Sequence, residues 1–181
     1  IIYHLAGITD VGRTIEDKDR KRDKKIRDVG VKGTRNIIKF SDEKTKIIFP
    51  STHVIYEGLK RQKKEIKETF TPVPILEYSR GKFQSEQDLI NSKRSYVILR
   101  LGSVFGNSFD STRINVMPNL FSKITSVDGT INLFGKGSQL KSLVSVKDVV
   151  RAMKFVADNQ DINNEIFNCV AENMTVKDVA E

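Results

Sequence analysis

The sequence predicts an α/β fold in which helices cover both faces of a parallel β-sheet. Three short apolar segments, residues 1–7, 46–52 and 96–103, have the length of strands and end in glycine, serine or threonine. They are rich in Ile, Val, Leu and Phe with little alternation, which is typical of strands buried on both faces. Helical patterns separate them, and strand–helix–strand repeats of this kind predict right-handed crossover units. Ligands of such sheets bind beyond the carboxyl ends of the strands.

Two helices are predicted between these three strands. The first ends near residue 40, and its spacing places Val29, Gly33, Ile37 and Phe40 on one apolar face. The second covers about residues 78–91. It follows a Pro-Val-Pro segment, which is rigid because proline restricts both itself and the residue before it.

The chain is predicted to divide into two parts, residues 1–106 with the crossover units and residues 107–181 with shorter elements. Apolar periodicity and the glycines of a turn define the elements of the second part. These are a helix at 116–125, a strand at 131–134, a turn at 135–137, strands at 143–145 and 165–170, a helix at 147–158 and the start of another helix at 175–181.

Tyr78 and Lys82 stand four residues apart at the start of the second predicted helix. That spacing places both side chains on one face of the helix, where they can meet. A phenol has a reference pKa of about 10, and a neighbouring ammonium group favours the phenolate. The pair can therefore exchange a proton with a substrate hydroxyl. Such a spacing also arises by chance on a solvated helix face, so the neighbouring motifs decide between the two interpretations.

Composition bounds the class of protein. With 38% hydrophobic and 30% charged residues the chain is expected to be globular. No apolar run approaches the roughly 18 residues of a membrane span. One cysteine, Cys169, is typical of a reducing compartment and predicts a cytoplasmic protein. Two histidines and the lack of Cys/His ligand spacing predict no metal site.

The net charge of +8 raises the question of nucleic-acid binding. Much of the basic excess lies at residues 13–27 and 60–67. The first region interleaves acidic residues with Lys and Arg, as solvated faces do, and the second has no aromatic residues that could stack on bases. The basic excess is therefore expected to form a solvated Lys-rich surface. Nucleic acid is not an expected partner, and among functional interpretations attraction of an anionic substrate is favoured over it.

Six short motifs occur in order along nearly the whole chain. They are His-Leu-Ala-Gly at 4–7, Gly-Thr-Arg-Asn at 33–36, Pro-Ser-Thr-His-Val-Ile-Tyr at 50–56, the Tyr78–Lys82 pair, Leu-Arg-Leu-Gly-Ser-Val-Phe-Gly at 99–106, and Gly-Lys-Gly at 135–137 followed by Lys141 and Val-Ser-Val-Lys-Asp-Val at 144–149. In this order and spacing they resemble the motifs of extended short-chain dehydrogenases/reductases. The closest resemblance is to the NAD-dependent epimerase/dehydratase family, which includes UDP-glucose 4-epimerase.

The resemblance implies a hydride transfer between a sugar carbon and NAD, with proton transfer at the sugar hydroxyl. Tyr78 matches the acid/base of the family, and Lys82 matches the cation that favours the phenolate and contacts the cofactor ribose. Thr52 matches the second hydroxyl, which binds the reacting oxygen. An epimerase returns the hydride, whereas a dehydratase goes on to eliminate water.

The resemblance also implies the binding residues of a Rossmann-like NAD(P) domain with a small substrate lobe. Ala6 and Gly7 would border the cofactor together with Tyr78 and Lys82. The substrate contacts would be Thr52, Ser103 and Lys141. Family members often dimerise, so a homodimer of the full-length protein is compatible with the sequence.

The glycine-rich turn that holds the pyrophosphate in this family does not occur in the sequence. The first residues resemble the fourth strand of the family, which would place roughly 60–70 residues before it, two crossover units of about 30 each. The sequence therefore predicts a fragment that is truncated at both ends, binds NAD poorly on its own and is inactive alone. The residue that discriminates NAD from NADP is not present, so NADP is not excluded.

Three positions depart from the family pattern and leave alternatives open. Gly30 stands where an Asn often links the lysine to solvent, Ser103 replaces an Asn that touches the nucleotide sugar, and Glu57 displaces the Gly after Tyr56. One alternative is a catalytically inactive member that serves as a binding or RNA-associated protein. Another keeps the chemistry but acts on a different small hydroxy compound.

Overall fold

The computed structural model of this chain describes residues 1–9, 19–60, 65–107 and 113–181. Its strands are β1 (Ile2–Tyr3), β2 (Ile47–Thr52), β3 (Tyr96–Leu101), β4 (Ser103–Phe105), β5 (Leu140–Ser145), β6 (Glu165–Cys169) and β7 (Glu172–Thr175). Its α-helices are α1 (Arg20–Arg27), α2 (Gly33–Phe40), α3 (Glu77–Ile90), α4 (Met117–Thr125), α5 (Val146–Asp158) and α6 (Val176–Ala180). A π-helical turn at Asp28–Lys32 joins α1 to α2, and 3-10 turns occupy His53–Tyr56 and Phe134–Gly137.

The strands form two sheets. The first contains β1, β2, β3 and β6 in that spatial order, and every pair in it is parallel. The second contains β4, β5 and β7, with β4 parallel and β7 antiparallel to β5. Thr52 lies beside Leu101 and Leu101 beside Cys169, so three strands of the first sheet end together at one edge. The predicted α/β class with a parallel sheet is confirmed.

Helices cover both faces of the first sheet, which explains its nearly continuous apolar strands. Successive residues of a strand point to opposite faces, so β2 and β3 each supply side chains to two apolar clusters. One cluster joins these strands to α2 and α3 and contains Ile37, Ile38, Ile47, Phe49, Leu89, Ile90, Tyr96 and Ile98. The other joins them to α5 and contains Ile48, Val97, Leu99, Ala152, Met153, Val156 and Ala157.

Both predicted parts of the chain contribute to this core. Helix α5 and strand β6 follow residue 107. Strand β6 joins the sheet of β1, β2 and β3, and α5 packs against that sheet. Helix α5 begins where Ser145 accepts a hydrogen bond from the Asp148 amide at 3.1 Å, a standard N-cap. The division into residues 1–106 and 107–181 stays a prediction.

Gly102 is the point at which the chain leaves the first sheet and enters the second. Its amide donates to the Cys169 carbonyl at 3.0 Å. A Cβ at this position would lie 3.0 Å from the Ser142 carbonyl oxygen of β5. The predicted strand at 96–103 is therefore two strands, β3 and β4, which are separated by a residue that must be small because a neighbouring backbone passes close by.

Two predicted strands differ from the structure. The strand predicted at 1–7 is confined to Ile2–Tyr3, which pairs with β2. Beyond it the Leu5 amide bonds the Tyr3 carbonyl and turns the chain. The strand predicted at 131–134 is wrong. Among the described residues no strand pairs with it, and Phe134 begins a 3-10 turn with its side chain 85% exposed.

The predicted apolar face of the first helix is wrong at Phe40, while Val29, Gly33 and Ile37 are half-buried and Ile37 packs in the core. Phe40 is 74% exposed, whereas Val31 and Thr34 are buried. Thr34 is satisfied in the core because its hydroxyl donates to the Gly30 carbonyl at 2.8 Å and accepts from His4 Nε2 at 2.9 Å.

A buried ion pair fixes α3 against the first sheet. Arg100 of β3 is almost fully buried, and its Nη2 donates to the Glu86 carboxylate of α3 at 2.8 Å. Arg100 Nη1 donates to the Tyr56 hydroxyl at 2.6 Å and to the Glu68 carbonyl at 2.9 Å. Ser51 of β2 donates to the same Glu86 carboxylate. Because both charges are compensated within the core, the cost of removing them from water is offset.

None of the helices within these ranges combines the length and the apolar character that a bilayer span requires.

We predict that Glu86→Gln lowers the free energy of unfolding by about 3–5 kcal/mol, because it leaves the buried Arg100 guanidinium without its counter-charge. Denaturant unfolding followed by circular dichroism measures the change. Asp88→Asn is the matched control on the same helix, since the Arg35–Asp88 pair has an Arg side chain that is 57% exposed. An exposed pair contributes at most about 1 kcal/mol. Equal losses in the two variants would contradict the prediction.

Candidate active site

Thr52 is the last residue of β2 and lies at the carboxyl edge of the first sheet. Its side chain is nearly buried, and its Oγ1 accepts a hydrogen bond from the Val54 amide at 3.2 Å. This bond begins the 3-10 turn at His53–Tyr56. The Thr52 hydroxyl also lies close enough to the Tyr78 hydroxyl to lower the pKa of Tyr78. The end of β2 and the start of α3 thus bring these two hydroxyls together.

Tyr78 is the second residue of α3, and its pKa lies above the ordinary value of a phenol. Burial is the main cause, while the hydrogen bond from Thr52 and the positive charge of Arg113 lower the pKa in part. We expected the Lys82 ammonium to lower this pKa, but the net shift is upward and the cation that acts on Tyr78 is Arg113. The phenol is therefore protonated at neutral pH in this structure, because burial disfavours the phenolate.

Lys82 points from α3 towards β2. Its Nζ donates to the Pro50 carbonyl at 2.8 Å and lies 4.6 Å from the centre of the Phe49 ring. Burial lowers the pKa of Lys82 to about 8, and the nearby Glu86 carboxylate acts in the opposite direction. Lys82 is thus still largely cationic at pH 7, with its charge held beneath the carboxyl edge of the sheet.

A small pocket joins most of the predicted site. Tyr78, Lys82, Ala6 and Gly7 all line it. A Cβ at Gly7 would lie 3.7 Å from Lys82 Nζ, so any side chain there would occupy space between the strand end and the lysine. With Thr52 beside Tyr78, the structure brings five of the seven predicted site residues together.

Ser103 and Lys141 lie apart from this pocket, in the second sheet. Ser103 begins β4 opposite Leu143, and its side chain is half-buried. Lys141 lies on β5 opposite Met174 with an exposed side chain. Its charge helps to lower the pKa of His53, which shows that Lys141 lies near the turn that follows Thr52.

His53 was considered in the sequence only as a metal ligand, yet the structure places it beside Thr52 at the same edge. Its Nδ1 lies 2.9 Å from the Leu101 carbonyl, which can only accept, so Nδ1 carries the hydrogen and Nε2 the lone pair. Burial and the Lys141 charge lower the pKa of His53, whose ring is therefore neutral at pH 7. Because His53 directly follows Thr52 in the sequence, its place at this edge of the sheet could have been predicted.

Within the described ranges no group of three or more His, Cys, Asp and Glu residues is close enough together to hold a metal ion. The charges next to Tyr78 are instead carried by two basic side chains, Lys82 and Arg113. Lys82 lies in the pocket, and the positive charge of Arg113 acts on Tyr78. The Nη1 atom of Arg113 donates to Thr9 Oγ1 at 3.2 Å. This arrangement can move a proton at the Tyr78 hydroxyl, and it favours anionic or hydroxyl-bearing ligands.

The parallel sheet with helices on both faces and a site at its carboxyl edge define a Rossmann-like α/β protein. Comparison with known families specifies it further. The model of the NAD-dependent epimerase/dehydratase family matches residues 1–169, and the chain belongs to this family.

Relatives of known activity agree with this membership. The N-acetyl-α-D-glucosaminyl-diphospho-ditrans,octacis-undecaprenol 4-epimerase of Escherichia coli is 30% identical over 151 residues, which cover 79% of this chain and 43% of that protein. The UDP-glucuronic acid 4-epimerase of Bacillus cereus, solved with UDP-glucuronic acid and NAD, has a TM-score of 0.78 and 23% identity, covering 96% of this chain and 55% of that one.

A third similar structure is the UDP-glucose 4-epimerase of Thermotoga maritima with UDP-glucose. It has a TM-score of 0.76 and 24% identity, covering 97% of this chain and 57% of that one. At these identities the solved structures establish the fold. The chain spans about half the length of the relatives it matches.

We predict that Lys82 titrates near pH 8, as its burial requires. An NMR titration of the Lys82 side-chain signals measures this value. The same signals in the chain unfolded by denaturant are the control, and they should titrate near about 10.4. Coincident folded and unfolded titrations would contradict the prediction.

The same shift predicts how stability depends on pH. Between about pH 8 and 10.4 the unfolded chain binds more protons at Lys82 than the folded chain does. This contribution to the free energy of unfolding therefore rises with pH across that window. Denaturant unfolding at pH 7.5 to 10.5, a range chosen to bracket this window, should show the rise in the wild type relative to Lys82→Met. If the difference in free energy of unfolding between the wild type and Lys82→Met stayed constant across this pH range, the predicted contribution of Lys82 would be excluded.

Proposed function

We propose that the protein is an NAD-dependent nucleotide-sugar epimerase or dehydratase in which this chain supplies the acid/base site. The observation that carries the proposal is the convergence of the Thr52 and Tyr78 hydroxyls beside a pocket that contains Lys82. Family membership supports the class of reaction. Epimerases on sugar diphosphates or UDP-sugars among the relatives support the class of substrate.

The residues of the pocket fit a nicotinamide cofactor. Gly7 presents no side chain, so the strand end and Lys82 leave a gap that a side chain would narrow. Ala6, Gly7, Tyr78 and Lys82 would hold the nicotinamide–ribose part of NAD, with Lys82 as the donor to the ribose hydroxyls. When bound, NAD supplies the ability to take a hydride from a sugar carbon and to return it. NADP fits the same residues.

The side chains of this chain would carry the proton transfer. Tyr78 Oη takes the proton of the sugar hydroxyl as its carbon is oxidised, and it returns that proton on reduction. Because burial raises the pKa of Tyr78, the positive charge of Arg113 and the Thr52 hydroxyl are needed to stabilise its phenolate. Thr52 Oγ1 donates to the reacting oxygen and holds it against Tyr78.

The second sheet would hold the rest of the substrate. Ser103 begins the strand that follows the catalytic edge, and Lys141 on β5 lies near His53 with an exposed ammonium. We propose that Lys141 attracts the diphosphate of a nucleotide sugar. An ammonium acts as a point charge and does not offer the two-pronged grip of a guanidinium. The half-buried Cys169 is compatible with a reducing, cytoplasmic setting.

We predict that Tyr78→Phe lowers turnover of the full-length protein at least about 100-fold, since general acid–base catalysis contributes roughly 10²–10⁴-fold. The assay supplies NAD and a panel of UDP-, GDP- and dTDP-sugars, and NMR detects the products. Thr52→Val should lose less, because it removes one hydrogen bond and leaves the acid/base in place.

Tyr96→Phe is the matched control, since Tyr96 lies at the opposite end of its strand from the catalytic edge. Unchanged turnover in Tyr78→Phe would contradict the proposed mechanism. A wild type that converts none of these sugars but binds RNA in a salt-dependent way would instead favour the inactive RNA-associated alternative.

A further inference from the structure

We propose that Glu57 is the residue that positions Tyr78 for proton transfer. Its carboxylate accepts from the two backbone amides that lead into α3 and ties this segment to the turn that follows Thr52. This inference rests on the proposed function, because it assigns Glu57 a part in the reaction that Tyr78 would carry out.

Helix α3 begins without a cap of its own. Leu76 occupies the N-cap position, and its side chain cannot accept a hydrogen bond. The first amides of a helix have no partner within the helix and must be satisfied from outside. Tyr78 is the second residue of α3, so its place depends on how this first turn is held.

Glu57, from a distant part of the chain, holds the two residues that lead into the helix. Its Oε1 accepts from the Ile75 amide at 2.8 Å and from the Leu76 amide at 2.6 Å. The same oxygen lies within bonding distance of the hydroxyl of Ser79, which is completely buried. Three donors from the residues that surround Tyr78 thus converge on one carboxylate oxygen. A negative charge at this end of a helix is also favoured by the helix dipole.

The backbone next to Glu57 holds the same segment. The Gly58 amide donates to the Val73 carbonyl at 2.9 Å, and the Val73 amide donates to the Ile55 carbonyl at 2.8 Å. A Cβ at Gly58 would lie 2.5 Å from the Val73 carbonyl oxygen, so only glycine permits this approach. The segment that leads into α3 therefore lies directly on the turn that carries Glu57.

That turn begins at Thr52, which completes the link between the two hydroxyls of the site. Thr52 Oγ1 accepts from the Val54 amide, and the Glu57 amide donates to the Val54 carbonyl at 3.0 Å. Thr52 and Glu57 are thus the two ends of one short hydrogen-bonded turn. Glu57 holds the residues on either side of Tyr78, so it sets the separation between the Thr52 and Tyr78 hydroxyls.

The test compares Glu57→Ala with Glu57→Gln in the full-length protein. The alanine variant removes the acceptor, whereas the glutamine variant keeps an acceptor oxygen of the same reach and loses only the charge. We expect Glu57→Ala to lower kcat at least about tenfold with KM changed less than twofold, as for an interaction needed in the transition state. Glu57→Gln should recover most of kcat.

Glu77→Ala is the matched control, because Glu77 is a carboxylate adjacent to Tyr78 that pairs with the exposed Arg27. Its kcat should equal that of the wild type. A Glu57→Ala variant with a lowered Tm but wild-type kcat per folded molecule would overturn the proposal, because Glu57 would then be a structural cap alone. Failure of Glu57→Gln to recover activity would also overturn it.

A second readout does not need turnover. In the 181-residue chain, Glu57→Ala should speed hydrogen exchange at the Ile75 and Leu76 amides and shift the Tyr78 ring signals in NMR spectra. Glu57→Gln should largely restore both. These shifts would appear even if every variant and the wild type failed to convert nucleotide sugars, so a failure of the proposed function is distinguishable from a failure of this inference. Unchanged Tyr78 signals in Glu57→Ala would overturn it.

Discussion

The position of the catalytic helix depends on one buried carboxylate, that of Glu86. It is fully buried, so it is stable only where its charge and its lone pairs are satisfied. Arg100 of β3 and Ser51 of β2 supply those partners from two adjacent strands. Few placements of α3 could satisfy the carboxylate from both strands at once. The helix is therefore fixed in its rotation as well as in its distance from the sheet.

This constraint reaches the site through the helical period. Tyr78, Lys82 and Glu86 follow one another at intervals of four residues, so they share one face of α3. When Glu86 is held against β2 and β3, Lys82 is directed to the Pro50 carbonyl of β2, and Tyr78 to Thr52 at the end of that strand. The carboxylate also opposes the effect of burial on the Lys82 charge. One buried group thus influences both the geometry and the electrostatics of the pocket.

Features that depend on short-range patterns could be read from the sequence. The strands at 47–52 and 96–101 and the helix at 77–90 follow from apolar runs and helical spacing, and the Tyr78–Lys82 pair follows from a separation of four residues. Contacts between distant positions could not. Glu57 bonds amides 18 and 19 residues away, and Arg113 reaches Tyr78 from a separate segment. The π-helical turn at Asp28–Lys32 has no spacing signal either, and Phe40 was wrongly placed on the apolar face.

Gly102 has a mechanical consequence for the substrate side. It is the single residue between β3, which carries Arg100, and β4, which pairs with β5. A flexible linker between two sheets would absorb a relative movement, but one residue that is bonded to Cys169 and touches Ser142 has no slack. Any displacement of β4 would pull directly on the strand whose arginine holds Glu86. Strain from an ill-fitting ligand on the second sheet would therefore be transmitted to the proton-transfer residues.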